Sequence, residues 1–209
     1  MRRPWQQAQR SALILAGFAA TATLLLGGTW LATYRTVAAN EMAAQSALLA
    51  QTLPAASFDN VLPASRQPLP IAIQQAFGSP EALAFYTGRR QGRVSGLVFE
   101  NVAPDGYSGR IRLLIGLLPD GSVHAVRVVK HQETPGLGDY IDLARSEWAR
   151  QFGGKGAANL SSWRVRKDGG EFDYVSGATV SARAVTAAVG RTVAAFHRYR
   201  STLLPRDTP

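Results

Sequence analysis

The stretch Arg110 to Lys130, RIRLLIGLLPDGSVHAVRVVK, decides the fold. Two β-branched, apolar runs, Arg110 to Leu118 and Ser122 to Lys130, flank Pro119-Asp120-Gly121, where a proline, an aspartate and a glycine stand as a tight turn needs them. The connection is too short for a crossover helix, so the two strands must pair antiparallel. Upstream, Arg93 to Val102 (RVSGLVFENV) reads as a third strand, joined to the first pair through the longer loop Ala103 to Gly109. Downstream, His131 to Asp139 carries Pro135, Gly136 and Gly138. Its composition suits a functional loop on a rigid sheet and a wide turn before the next helix equally well. Asp142 to Phe152 is expected to be a short helix, with Leu143, Trp148 and Phe152 sharing part of a face and Gly153-Gly154 as the stop. Trp163 to Lys167, turned by Asp168-Gly169-Gly170 into Glu171 and Phe172, reads as a second hairpin. From Val180 to about Arg200, Val185, Val189, Val193 and Phe196 give one apolar stripe, the core face of a long helix. The expected class is α+β, a mainly antiparallel sheet flanked by helices.

The N-terminal part is organised differently. No charged residue lies between Arg10 and Arg35, and the run Ser11 to Tyr34 would make a helix about 36 Å long against a hydrocarbon core of about 30 Å. Arg2, Arg3 and Arg10 precede it, and Trp30 and Tyr34 sit at its far end as interfacial aromatics. A cleaved signal peptide competes with this reading, helped by the small residues near Val37, but the apolar run exceeds the usual h-region of about 7 to 15 residues. The expected layout is a cytoplasmic tail over 1–10, a transmembrane helix over 11–34, a juxtamembrane helix and proline-containing stalk over 35–80, and an external domain over 81–209. Pro54, Pro63, Pro68 and Pro70 make the stalk an extended connector, loosely attached to the domain. By charge asymmetry the tail stays in the cytoplasm and the main domain lies outside, with membrane lipid as one partner.

Composition excludes several functions. The 209 residues contain no cysteine, which removes disulfides, thiolate clusters, covalent c-type haem and cysteine-based zinc. Only three histidines occur, at 124, 131 and 197, without ligand spacing, so no metal site is assigned. The net charge of +9 comes from scattered arginines, with no basic helix or aromatic-laced repeat, so nucleic acid is not expected as a partner. A Ser/Thr hydrolase lacks both a nearby base and a G-x-S-x-G elbow, so no catalytic residue is assigned.

The chemistry concentrates in Asp173-Tyr174-Val175-Ser176-Gly177-Ala178-Thr179, a polar turn feeding the N-terminus of the long helix. Free N–H donors and the positive end of the helix dipole favour an anion there, and Gly177 and Ala178 keep side chains out of its way. Local chemistry alone is satisfied by Thr179 as a plain N-cap. Arg183, in the first turn or so, is unfavourable by dipole unless it meets an anion or a carboxylate.

The run Asp173-x-x-Ser176-Gly177-Ala178-Thr179 resembles the flavinylation motif of the FMN-binding domain family, in which a threonine hydroxyl is esterified to the FMN phosphate by a flavin transferase that uses FAD. Gly106-Tyr107-Ser108-Gly109, Glu133-Thr134-Pro135-Gly136-Leu137-Gly138 and Lys167-Asp168-Gly169-Gly170 also look like that family's pattern. With its single anchor and external domain, the chain is similar to the G subunits of Rnf (Rsx) ion-translocating electron-transport complexes. The resemblance implies a covalent FMN on Thr179, with Ser176, Gly177, Ala178, Ser181 and Arg183 around the ester. It assigns Thr134, Gly136 and Leu137 as flavin contacts and Asp173 as a recognition residue for the transferase. It also implies an electron-carrying subunit, not catalytic alone, with the other Rnf subunits as partners in coupling NADH and ferredoxin chemistry to cation movement. The related C subunit of the sodium-pumping NADH:quinone reductase and a cofactor-free membrane-anchored sensor domain are the alternatives.

Overall fold

The computed structural model describes residues 3–79, 81 and 83–204. Arg2 of the basic tail, Pro80 at the expected stalk boundary and the last residues of the expected domain, 205–209, lie outside them.

The expected transmembrane span, Ser11 to Tyr34, and the juxtamembrane helix expected after it are one uninterrupted helix, α1, Arg3–Ala50. It is apolar on every side over the span that avoids charge, and Leu13, Phe18, Leu24, Leu26 and Trp30 are exposed by about two thirds or more in the isolated chain. Among the described residues it is the helix long and apolar enough to cross a membrane. The chain divides into two compact units, Met1–Ala44 and Gln45–Pro209.

The second unit is built on a five-stranded antiparallel sheet in sequence order: β1 (Gln67–Pro68), β2 (Ala84–Arg90), β3 (Arg93–Gly106), β4 (Gly109–Leu117) and β5 (Val123–Lys130). The hairpin from which the fold was read pairs Leu113 with Val128 and Ile115 with Val126. One face of the sheet carries α2 (Ile71–Phe77) and α3 (Thr179–Arg198). The stripe expected on α3 is buried there, and Phe196 and Phe77 meet Phe99 of β3 edge-on with centroids 6.2 and 5.7 Å away. Asn101, 1% exposed, donates to Ala188 O and Thr192 Oγ1 at 3.1 and 2.7 Å, tying β3 to α3 without leaving a buried amide unpaired.

The opposite face is covered by the segment expected to be a loose stalk. Leu49, Leu53 and Leu62 are at most 3% exposed and pack with Tyr86, Val98 and Leu114. Three mid-strand glycines make room for them. A Cβ on Gly88 or Gly96 would stand 2.7 Å from Leu53, and one on Gly116 would stand 1.8 Å from the Thr52 carbonyl oxygen. Arg66 and Tyr86 then share Glu100 (3.2 and 2.6 Å), with the Tyr86 phenol pushed up to about 12 by burial and by that carboxylate. Residues 45–79 therefore belong to the compact unit, in contrast to the boundary at 80/81 expected from sequence.

Three local expectations are corrected. The loop Ala103 to Gly109 is strand as far as Gly106 and again from Gly109, closed by Tyr107 and Ser108 with Gly109 at φ 127°. Asp142 to Phe152 is not one helix but a turn over 142–145 followed by the 3₁₀ segment Glu147–Phe152, with a further 3₁₀ segment, Asp139–Ile141, just ahead of it. Ser146 separates them by donating to Tyr140 O (2.6 Å) and accepting from Trp148 N–H (3.1 Å). The second hairpin reduces to one bridge, Val165 with Phe172, around the 3₁₀ turn Arg166–Asp168. Phe172 there is spent on an aromatic cluster with Phe152 and Trp163 instead of a ladder.

Candidate functional site

Four pieces of chain converge on the N-terminus of α3: the Gly106–Gly109 turn, the loop after β5, the 3₁₀ segments and the run 173–178. The run is held from one side. Trp148 Nε1 donates to Asp173 O at 2.6 Å, and Gln151 Oε1 accepts from Asp173 N–H at 2.7 Å. Tyr140, buried, accepts from Val175 N–H (3.3 Å) and donates to Ala178 O (3.0 Å), so one phenol fixes both ends of the turn. Burial, more than the nearby Glu133, pushes that phenol above its ordinary value and keeps it a neutral donor. Tyr140→Phe should cost about 1–3 kcal/mol of unfolding free energy by orphaning two backbone groups, a loss that denaturant titration of the full chain would show.

Gly177 stands at φ 89°, and a Cβ there would meet nothing within 4 Å. Its role is the left-handed turn itself, closed by Ala178 N–H to Val175 O at 3.0 Å, and not the making of space. Ala178, expected beside a ligand, is packed in the core, whereas Ser176 is exposed. Thr179 is not the cap; α3 begins at Thr179 and its cap is Ala178, which offers no side-chain acceptor. The first-turn N–H groups are thus left without a protein cap. The Thr179 hydroxyl has no hydrogen-bond partner among the described residues, although the residue is only 7% exposed.

The other expected ligands are engaged differently. Ser181 is buried and donates to Glu133 Oε2 at 2.5 Å. Arg183 meets a carboxylate, the second of its two expected choices: Nε and the second guanidinium nitrogen reach Asp168 at 2.5 and 2.6 Å. That fork holds the Asp168 carboxyl below its usual range. A depressed folded-state value means that the pair's contribution is present above the unfolded value of about 4 and is lost as pH falls through the folded one. The melting-temperature gap between the wild type and Asp168→Asn should therefore be constant above about pH 5 and close below about pH 4. A gap unchanged at pH 3 would contradict the pairing.

The loop after β5 is a compact turn. Thr134 O accepts from Leu137 and Gly138 N–H (3.1 and 3.0 Å), and Gly136, at φ 75°, donates to Asp139 Oδ1 (2.9 Å). Thr134, Gly136 and Leu137 are exposed, Leu137 by 44%. Asp173 is exposed and pairs with Arg166 at 3.0 Å.

One residue not assigned a role from sequence organises all this. Glu133, 4% exposed, accepts from Ser108 N–H with Oε1 (3.2 Å) and from Ser181 with Oε2, joining the β3–β4 turn, the loop and the first turn of α3. Gly106 and Gly138 cradle it, since a Cβ on either would lie 2.8 Å from a carboxylate oxygen. The signal available in sequence was an acidic residue set among loop glycines.

A donor-rich helix start, an unpartnered hydroxyl and exposed apolar side chains at Leu137, Val175 and Val180 fit a phosphate bearing a large planar group. The model of the FMN-binding domain matches residues 106–194, and that of the RnfG N-terminal region matches 1–52. The relatives that the chain resembles over most of its length are named as G subunits of ion-translocating oxidoreductase complexes. One from Vibrio vulnificus (strain YJ016) is 40% identical over 94% of this chain and 92% of its own length. One from Vibrio cholerae (strain M66-2) is 37% identical over 96% of each chain, and one from Aliivibrio fischeri (strain ATCC 700601 / ES114) is 40% identical over 88% of each.

Proposed function

Since this chain belongs to the family formed by the G subunits of ion-translocating oxidoreductase complexes, we propose that it is a membrane-anchored flavoprotein relaying electrons through an FMN esterified to Thr179. The observation that carries the ester is the Thr179 hydroxyl, without a hydrogen-bond partner among the described residues, on the first residue of a helix that has no side-chain cap. First-turn N–H groups hold the ester phosphate, and the helix dipole favours its charge. Ser181 and Arg183 support the site indirectly, through Glu133 and Asp168. Thr134, Gly136 and Leu137 form the exposed turn against which the flavin rests, with Ser176 and Gly177 at the mouth. The flavin supplies the redox chemistry; the chain supplies position, donors and exclusion of water on one side.

A tether is what a relay on an aqueous face needs, because it fixes distance without demanding tight non-covalent affinity. A flavin transferase that uses FAD installs it, reading exposed Asp173 and Ser176. The basic N-terminal tail is cytoplasmic and the domain periplasmic, the orientation that the arginines before α1's apolar span favour. Within the Rnf-type complex the neighbouring subunits donate and accept the electrons. Similarity over nearly the whole chain favours this assignment over the C subunit of the sodium-pumping enzyme.

The test is the intact mass of the full chain purified from a host expressing the matching transferase. One FMN moiety is expected on each chain. An unmodified mass would sink the reading.

A further inference from the structure

The strand β5 carries a bulge that nothing in the flavin site uses. Leu117 pairs with Val123 and Gly116 with Ala125, so His124 stands without a partner in the ladder. The bulge turns His124 towards a cavity of about 300 Å³ that is lined by His124, Ala125, Arg127, Ala149 and Arg150. Three of these five side chains are cationic or can become so.

Arg127 is the uncompensated one. It is half-buried, and its hydrogen bonds go to Gln51 Oε1 (Nε, 3.2 Å) and Val126 O (2.9 Å); among the described residues no carboxylate pairs with it. Arg150, across the cavity, is exposed and pairs with Glu147. That carboxylate serves Arg150 and leaves Arg127 without one among the described residues. Burial first, and then the charge of Arg150, holds the Arg127 guanidinium below its ordinary value; burial and Arg127 do the same to His124. A partly desolvated guanidinium beside a second cation is costly unless an anion completes it. Its planar fork suits the two oxygens of a carboxylate or phosphate.

We propose that the cavity between β5 and the 3₁₀ segment Glu147–Phe152 is an oxyanion-binding site, with Arg127 as its principal ligand and Arg150 and His124 as its walls. The group bound is a phosphate or carboxylate, from a free anion or from an acidic side chain of a neighbouring subunit. The 3₁₀ segment that forms one wall also carries Trp148 and Gln151, which hold Asp173. An anion seated there braces the same segment that positions the attachment run. Anion binding requires no flavin, so its failure and that of the flavin tether are separately visible.

The experiment titrates inorganic phosphate into the full chain in detergent at constant ionic strength, with chloride as the balancing salt. Tryptophan fluorescence and melting temperature are the readouts. A saturable response is expected, weakened about tenfold or more in Arg127→Gln and less in Arg150→Gln, and retained in Arg93→Gln, which removes the same charge from an exposed position. Arg127→Lys, which keeps charge but loses the fork, should fall between. Repeated on the intact complex, a retained response identifies a free anion as the natural occupant. A response seen only in the isolated chain identifies a neighbouring subunit's acidic side chain. A linear response, or one of equal strength in Arg127→Gln and Arg93→Gln, overturns the proposal.

Discussion

Thr179→Ala is expected to remove the flavin completely: no mass increment, and no fluorescent band on a denaturing gel. Partial loss would not fit, because an ester has one oxygen to bind through. The fold should survive. Thr179 is the first residue of α3 and its hydroxyl has no hydrogen-bond partner among the described residues, while alanine is the best helix former. The cost of the lost methyl is on the order of 1 kcal/mol. Thr179→Ser keeps the hydroxyl and should keep the flavin. Ser181→Ala is the sharper control. Ser181 lies two residues further along the same helix but is spent on Glu133, so its loss should leave the flavin mass increment in place and lower stability instead. A retained mass increment in Thr179→Ala would place the ester on another hydroxyl, and Ser176, exposed on the turn, would be the first to examine.

The polar turn and the helix that follows it were readable because their signal is local: residue types at fixed spacing before an apolar stripe. The sheet was readable for the same reason, since the Pro119-Asp120-Gly121 turn leaves the chain no choice but to fold back. Thr179's exact place was not, because whether it caps or begins the helix depends on Tyr140 drawing the Ala178 carbonyl and Val175 N–H to itself, a contact formed across 38 and 35 residues. Arg183 showed that its charge needed a partner, yet only the folded 166–169 turn could say that the partner is Asp168. Glu133 was hidden for a related reason. A buried carboxylate looks in sequence like any loop acid, and its meaning comes from three elements meeting around it.

The connector was expected to be loose because of its prolines, which keep regular elements short but do not forbid burial. The informative residues lay elsewhere, as single glycines in mid-strand at Gly88, Gly96 and Gly116, where a β-strand gains nothing from glycine unless another backbone comes close. Gly116→Ala is therefore the second large expected effect. Its Cβ would fall 1.8 Å from the Thr52 carbonyl oxygen, and backbone cannot swing aside as a side chain can. The segment around Thr52 must lift, which removes Leu49 and Leu53 from the outer face of the sheet and exposes Leu114 and Val98 beneath them. Overpacking of this kind costs about 1–3 kcal/mol, and the leucines it displaces bring the expected total to the upper end or beyond. Leu53→Ala reaches the same face from the other side and should cost about 2–5 kcal/mol. Thermal unfolding of the full chain in detergent measures both, and trypsin should cut faster after Arg66 in each, since its pairing with Glu100 depends on the connector staying down. Neither change touches α3, so the flavin ester proposed on Thr179 should be unaffected. If both variants melt and are cleaved like the wild type, the connector does not lie on the sheet, and the boundary between anchor and domain returns to the prolines.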